Sequence, residues 1–162
     1  GASELAFMLR DEGSGGIGGV VPEIEPERNM SAYRAITSSM KRGLVSSAHD
    51  CSDGGLAVAL AECCFGADSG ASIDISPLWS DCSDLDEWGA LFGESLGRIL
   101  VSVKPPDIAA FEESMEGVCC HYLGMVSEGD TITVSRDGEK VLSGSMSEMR
   151  DSWKTTLHGG GL

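Results

Sequence analysis

The run TITVSRDGEKVLSGS, residues 131–145, sets two strand-like segments on either side of Asp137-Gly138. An Asp-Gly pair favours the left-handed backbone of a tight two-residue turn, so the flanking strands pair antiparallel. That pairing argues against a doubly wound parallel sheet. The segments upstream alternate between helical and extended patterns. Together they predict an α+β chain, one mixed or antiparallel sheet layered with helices in an α/β/α arrangement.

The individual elements follow from periodicity. Leu5, Ala6 and Leu9 lie at helical spacing, with Ser3 placed to cap. Met30, Tyr33, Ile36, Thr37 and Met40 share one face of a second helix, which Gly43 is suited to end. LVSSAH (44–49) reads as a short strand. Residues 54–65 read as a helix turning Leu56, Ala59, Leu60 and Cys63 to the core. ASIDIS (71–76) alternates as a strand, with Ile73 and Ile75 on one face. Ser83 or Asp84 is placed to cap a helix over 85–93, and GRILVSV (97–103) is a strand. PPDIAAFEESMEG (105–117) is a helix entered through prolines, which the first turn tolerates. CCHYLGMV (119–126) reads as a strand, and residues 145–157 close the chain as a helix. These patterns divide the sequence into an N-terminal helix with a glycine-rich linker (1–26), one folded domain (27–157) and a short tail (158–162).

Charge excludes some functions. The net charge is -15, and so acidic a surface repels a phosphate backbone, which argues against nucleic-acid binding. No apolar run approaches the ~20 residues of a membrane span, and no signal-peptide pattern opens the sequence. The six cysteines form no CxxC, so zinc-ribbon and thioredoxin readings fail, and reduced, mostly buried thiols of a cytoplasmic protein are expected. His121 beside Cys120 offers too few ligands for a metal. Residues 13–18 match G-x-G-x-x-G, yet no strand precedes them and no helix opens on the last glycine. A linker accounts for them better. Trp79, Trp88 and Trp153 read as packing residues.

The densest polar cluster is AHDCSDGG, residues 48–55. Asp50 ends a strand, Ser52 and Asp53 lie in a turn, and Gly54 and Gly55 open a helix. Unsatisfied amides at a helix N-terminus make a seat for phosphate, and an adjacent carboxylate can hold Mg²⁺. The same residues also make an ordinary helix cap. Spacing alone leaves both readings open.

SAHDCSDGGLAVALAE (47–62) and LFGESLGRILVSV (91–103) carry a resemblance to the phosphoribosylformylglycinamidine synthase family, also called FGAM synthetase or PurL. GASEL at the start and LSGSMSEMRDSWK (142–154) resemble the same family in order. The resemblance implies a C-terminal domain of the AIR-synthetase-like superfamily, like the C-terminal domain of PurM and partly ferredoxin-like. It implies an ATP-dependent ligase that turns formylglycinamide ribonucleotide, glutamine-derived ammonia and ATP into formylglycinamidine ribonucleotide. It implies Mg²⁺ and ATP as cofactors. The implied partners are the remaining domains of the N-terminal half, a glutaminase and small accessory subunits. By the same resemblance Asp50 is a Mg²⁺ ligand, Ser52 contacts ATP, and Asp53, Gly54 and Gly55 complete the nucleotide loop. His49, Glu94, Ser95 and Arg98 occupy supporting or substrate positions. Leu96 stands where the family has glutamine. The side chain of leucine makes no hydrogen bond, so Glu94 and Arg98 are read as pairing with each other and shaping a turn. No catalytic residue is assigned to this chain, which is expected to be inactive alone. A non-catalytic assembly domain is the alternative. So is the C-terminal domain of another superfamily member: AIR synthetase, selenophosphate synthetase or a hydrogenase-maturation protein.

Overall fold

The computed structural model describes residues 3–9, 24–67, 69–80 and 86–157. Residues 13–18, the tail from 158, and Ser83 and Asp84 lie outside the described residues. The chain divides into two compact units. The first comprises residues 1–59 and 92–120, the second 60–91 and 121–162. Helices and strands are mixed throughout, as an α+β chain requires. The strands form two sheets among the described residues, where the sequence pattern had implied one.

In the first unit, α1 (Glu4–Met8) begins where the Ser3 hydroxyl accepts from the Ala6 amide at 3.3 Å. Helix α2 (Pro26–Lys41) opens on proline, and Gly43 follows with φ +76°, a left-handed turn that suits glycine. Strand β1 (Ser47–Asp50) pairs antiparallel with β3 (Ile99–Ser102), setting Asp50 opposite Ile99. Helix α5 (Ile108–Ser114) follows a short 3₁₀ turn at Pro105–Asp107. Leu44, Phe111 and Met115 form the core, lined by Ala35, Ile36, Val45 and Val101. Ile36 packs against this core as expected, but Met30, Tyr33, Thr37 and Met40 of the same expected face are exposed. Ser39 is fully buried instead. Its hydroxyl donates to the Ala35 carbonyl at 2.9 Å and lies 2.6 Å from the Ser114 hydroxyl. Both polar groups are thereby satisfied, and small side chains let α2 and α5 approach closely.

Helix α3 (Gly55–Ala67) begins in the first unit and ends in the second. Leu56, Ala59 and Leu60 are buried as expected, but Cys64 rather than Cys63 takes the deepest cysteine position.

The second unit holds a four-stranded mixed sheet of order β4-β2-β5-β6. Its strands are β2 (Gly70–Asp74), β4 (Gly124–Ser127), β5 (Thr131–Arg136) and β6 (Glu139–Ser145). Strand β2 runs parallel to β5 and antiparallel to β4. Ile73 and Ile75 are buried, the alternation read from the sequence, and so are Ile132 and Val134 of β5. The β5–β6 turn carries Asp137 at φ +51° and Gly138 at φ +81°, the expected hairpin. Helix α4 (Glu87–Phe92) starts where Asp86 accepts from the Gly89 amide. Strand β4 begins at Gly124, not at Cys119. Gly124 has φ +147°, and its Cα side faces the Ser72 carbonyl so closely that a Cβ would lie 2.0 Å from it.

Helix α6 (Met146–Leu157) is capped from a distance. Asp130 accepts from the Ser145 hydroxyl at 2.6 Å, the Ser147 hydroxyl at 2.7 Å and the Ser147 amide at 2.9 Å. Those bonds, the Ser145 hydroxyl first, hold the Asp130 carboxyl below its usual range. A depressed carboxylate adds stability above the unfolded value near about pH 4, and that stability is lost as pH falls through the lower folded value. Thermal melts across the acid range are therefore expected to show an acid-labile contribution that Asp130→Asn removes. A wild-type and variant difference that does not change with pH would refute this.

Candidate functional site

Two sequence motifs meet because two strands pair. With Asp50 opposite Ile99, the ladder continues one step through the Cys51 amide, which donates to the Arg98 carbonyl at 2.9 Å. The loop after β1 therefore lies beside the loop before β3. Glu94 closes the gap: its Oε1 accepts from the Gly54 amide at 2.9 Å and from the Glu4 amide at 2.9 Å. One carboxylate oxygen joins the start of α1, the glycine turn before α3 and the loop before β3.

Backbone conformation explains the glycine pair. Gly54 has φ +75° and Gly55 φ +66°, two left-handed residues in succession. A Cβ at Gly54 would also lie 2.3 Å from Val58 Cγ2. The Gly55 amide donates to the Ser52 carbonyl at 3.0 Å, closing the turn. Gly97, with φ +83°, lets the preceding loop pass beside Asn29.

Asp50, Ser52 and Asp53 are all exposed, and Ser95 and Arg98 are half-buried. Arg98 donates to the Gly93 carbonyl at 3.0 Å, a bond that holds the shape of the loop. His49 is half-buried, and its Nδ1 lies 2.7 Å from the Asp50 carbonyl. A carbonyl can only accept, so Nδ1 carries the proton. Leu96 is 67% exposed, an apolar residue on the surface of this loop.

Sequence reading placed these residues in two motifs but did not foresee that Glu94 would take up the Gly54 amide. Part of the amide seat for an anion is thus filled by the protein's own carboxylate. Asp50 and Asp53 add further negative charge near the turn. A bare triphosphate would be repelled there, and a cation-bound one would not. Among the described residues no group of three or more His, Cys, Asp or Glu converges on a metal position. An exposed carboxylate such as Asp50 still suits Mg²⁺, which takes one or two protein carboxylates and completes its shell with phosphate and water.

Removing the Glu94 acceptor leaves two amides short of a partner. Glu94→Ala is expected to cost about 1–3 kcal/mol in chemical unfolding, with Glu94→Gln recovering much of it. Equal melting of wild type and Glu94→Ala would refute the bridging role.

Other candidates take ordinary places. Trp79 stacks under the Arg136 guanidinium at 3.8 Å, and Trp153 packs against Phe65 with ring centres 6.1 Å apart. Trp88 is largely exposed. His121 lies ahead of β4 rather than within it. The expectation of mostly buried thiols fails at Cys119 and Cys120, which are exposed. No helix among the described residues is long and apolar enough to cross a membrane.

Residues 1–137 match the family model described as AIR synthase related protein, C-terminal domain. Solved structures of PurL from Thermotoga maritima share the fold. The complex with FGAR superposes with a TM-score of 0.71 at 20% identity, over 78% of this chain and 21% of that one. The complex with ATP gives 0.67 at 21% identity, over 72% and 20%. The PurLQS assembly gives 0.71 at 20% identity, over 78% and 22%. This chain thus spans about a fifth of the length of the solved chains it matches. The family match extends over most of the sequence and includes both motifs of the strand-paired turn, and the chain belongs to the AIR synthase related family as its C-terminal domain.

Proposed function

We propose that this chain is the C-terminal domain of a phosphoribosylformylglycinamidine synthase and supplies one wall of an interdomain Mg-ATP site. The single observation that supports the reading most is the β1–β3 pairing, continued by the Cys51 amide to the Arg98 carbonyl at 2.9 Å, which sets both family motifs side by side with Asp50 and Ser52 exposed. The reaction proposed joins glutamine-derived ammonia to formylglycinamide ribonucleotide at the expense of ATP. The similar Thermotoga maritima proteins are described as complexes with ATP, ADP and FGAR, which agrees with that choice.

In this reading Asp50 holds Mg²⁺ through a carboxylate oxygen. The metal, when bound, supplies charge neutralisation to the phosphoryl oxygens. Ser52 donates its hydroxyl to a phosphate oxygen, and Asp53, Gly54 and Gly55 keep the backbone close to it. Glu94 and Arg98 hold the two loops in register, with Ser95 and His49 in support. The remaining domains, a glutaminase and small accessory subunits are the proposed partners. The proposed setting is the reducing cytoplasm, in keeping with the free thiols.

One observation favours a second reading, a non-catalytic domain in which the turn is structural: Glu94 already occupies the Gly54 amide. Asp50→Asn in the full-length protein separates the two. Loss of ATP-dependent turnover with a raised Mg²⁺ requirement supports the first. Unchanged turnover and Mg²⁺ dependence establish the second.

A further inference from the structure

Helix α2 is anchored through one side. Ala35 and Ile36 pack on the core of the first unit, and Ser39 is fully buried against Ser114 of α5. Residues three and four apart share a helix face, so Met30, Tyr33, Thr37 and Met40 form a stripe turned away from Ser39. Met30, Tyr33 and Met40 are 45%, 39% and 45% exposed, too much for side chains packed in their own fold. The stripe runs about 15 Å, roughly three helical turns. Charge also sets this helix apart. Four of the 11 Lys and Arg residues fall within 26–42, namely Arg28, Arg34, Lys41 and Arg42, against one of the 26 Asp and Glu, Glu27. The whole chain carries a net charge of -15. Arg28 pairs with Glu25 at 3.2 Å. Arg34, Lys41 and Arg42 are exposed, and among the described residues their side chains form no ion pair. By the same spacing Arg34 lies beside Met30 and Thr37, and Lys41 beside Thr37.

We propose that this face of α2 is a docking surface for an acidic amphipathic helix supplied by another polypeptide. Apolar residues of that helix, spaced by three and four, meet Met30, Tyr33 and Met40. Asp or Glu residues beside them meet Arg34 and Lys41. The backbone groups inside α2 are bonded within the helix, so an extended strand gains no ladder from it, whereas a second helix can lay ridge against groove. Methionine adapts to an apolar partner, and tyrosine and arginine suit interface cores. Charge decides the rest. A second copy laying its own α2 alongside brings Arg34 and Lys41 against their like, between chains that each carry -15. A polyanion without apolar groups leaves the stripe wet. An acidic helix satisfies both the stripe and its cations, and opposite charge speeds its approach. The proposal uses no residue of the nucleotide turn and stands independently of that reading.

The test uses the full-length protein and a synthetic peptide of about 21 residues, with leucine at the a and d positions of each heptad and glutamate at e and g. Its counterpart carries lysine at e and g. Fluorescence anisotropy reads binding. The glutamate peptide is expected to bind at least about tenfold tighter than the lysine peptide, and to weaken several-fold as salt rises. Arg34→Glu with Lys41→Glu should reverse the preference. Met30→Ser with Tyr33→Ser should weaken the glutamate peptide at least about tenfold. If the two peptides bind the unmodified protein alike, or neither binds, the proposal fails without reference to any variant. It also fails if either double variant folds normally and binds the glutamate peptide unchanged. Three further results overturn it by naming another occupant. Self-association in sedimentation that Met30→Ser with Tyr33→Ser abolishes assigns the face to a second copy. Heparin binding as tight as the peptide's, and indifferent to that variant, makes it a polyanion site. Protection of Met30 and Met40 from peroxide in the full-length protein gives the face to that protein's own remaining domains.

Discussion

Gly124→Ala is expected to cost the second unit about 3 kcal/mol or more, lowering the melting temperature by roughly 6–12 °C. Two effects combine. The backbone at φ +147° is one that a side chain rarely adopts, and the new Cβ would lie 2.0 Å from the Ser72 carbonyl oxygen. That oxygen belongs to β2, the strand directly paired with β4, and cannot swing aside as a side-chain tip does. Either β4 separates from the sheet or β2 shifts. Gly117→Ala is the matched control. Its φ is +77°, but nothing lies within 4 Å of the added Cβ, so only the backbone penalty of about 1 kcal/mol remains. Differential scanning calorimetry of both variants checks the contrast. Equal melting temperatures for the two would show that the close strand contact carries no weight.

Asp50→Asn carries the largest expected effect on activity. In the full-length protein, ATP-dependent turnover should fall about 100-fold or more, since losing an outer-shell partner of a metal site alone typically costs about 10–100-fold. The change keeps the size of the side chain and removes its charge. Asp50 is exposed at the end of β1, so folding should be nearly unaffected. Higher Mg²⁺ should recover part of the loss if Asp50 helps hold the ion. Steady-state kinetics over a Mg²⁺ series, with a thermal melt alongside, provides the check. A variant that melts normally and turns over at the wild-type rate would leave Asp50 without a metal role.

The parts of the fold that were legible are those governed by local rules. The β5–β6 hairpin followed from Asp137-Gly138, and buried Ile73 and Ile75 followed from alternation. Both signals act within a few residues. The packing side of α2 was legible only in part: Ile36 packs as its spacing predicts, but Ser39 is buried through hydrogen bonds to Ala35 and Ser114 rather than through apolarity. Hydrophobic spacing points to Met30, Tyr33 and Met40, which the first unit leaves exposed. The start of β4 was misplaced at Cys119 because apolar content alone does not mark where the ladder begins. Gly124 marks it, through a strand-to-strand approach that depends on residues far away in sequence. The candidate site shows the same division. Its residue types stood out in two motifs, while the Glu94–Gly54 bond that joins them did not.

Neither unit is a continuous stretch of polypeptide. Strand β1 finds its partner β3 only after the chain has left the first unit, formed β2 and α4, and returned. Asp50 and Glu94 cannot come together until that excursion has been made. Closing so long a loop is entropically costly, and contacts of high sequence separation slow folding. During synthesis the strand bearing Asp50 leaves the ribosome well before anything exists to pair with it. The first unit therefore cannot be obtained whole by trimming either end.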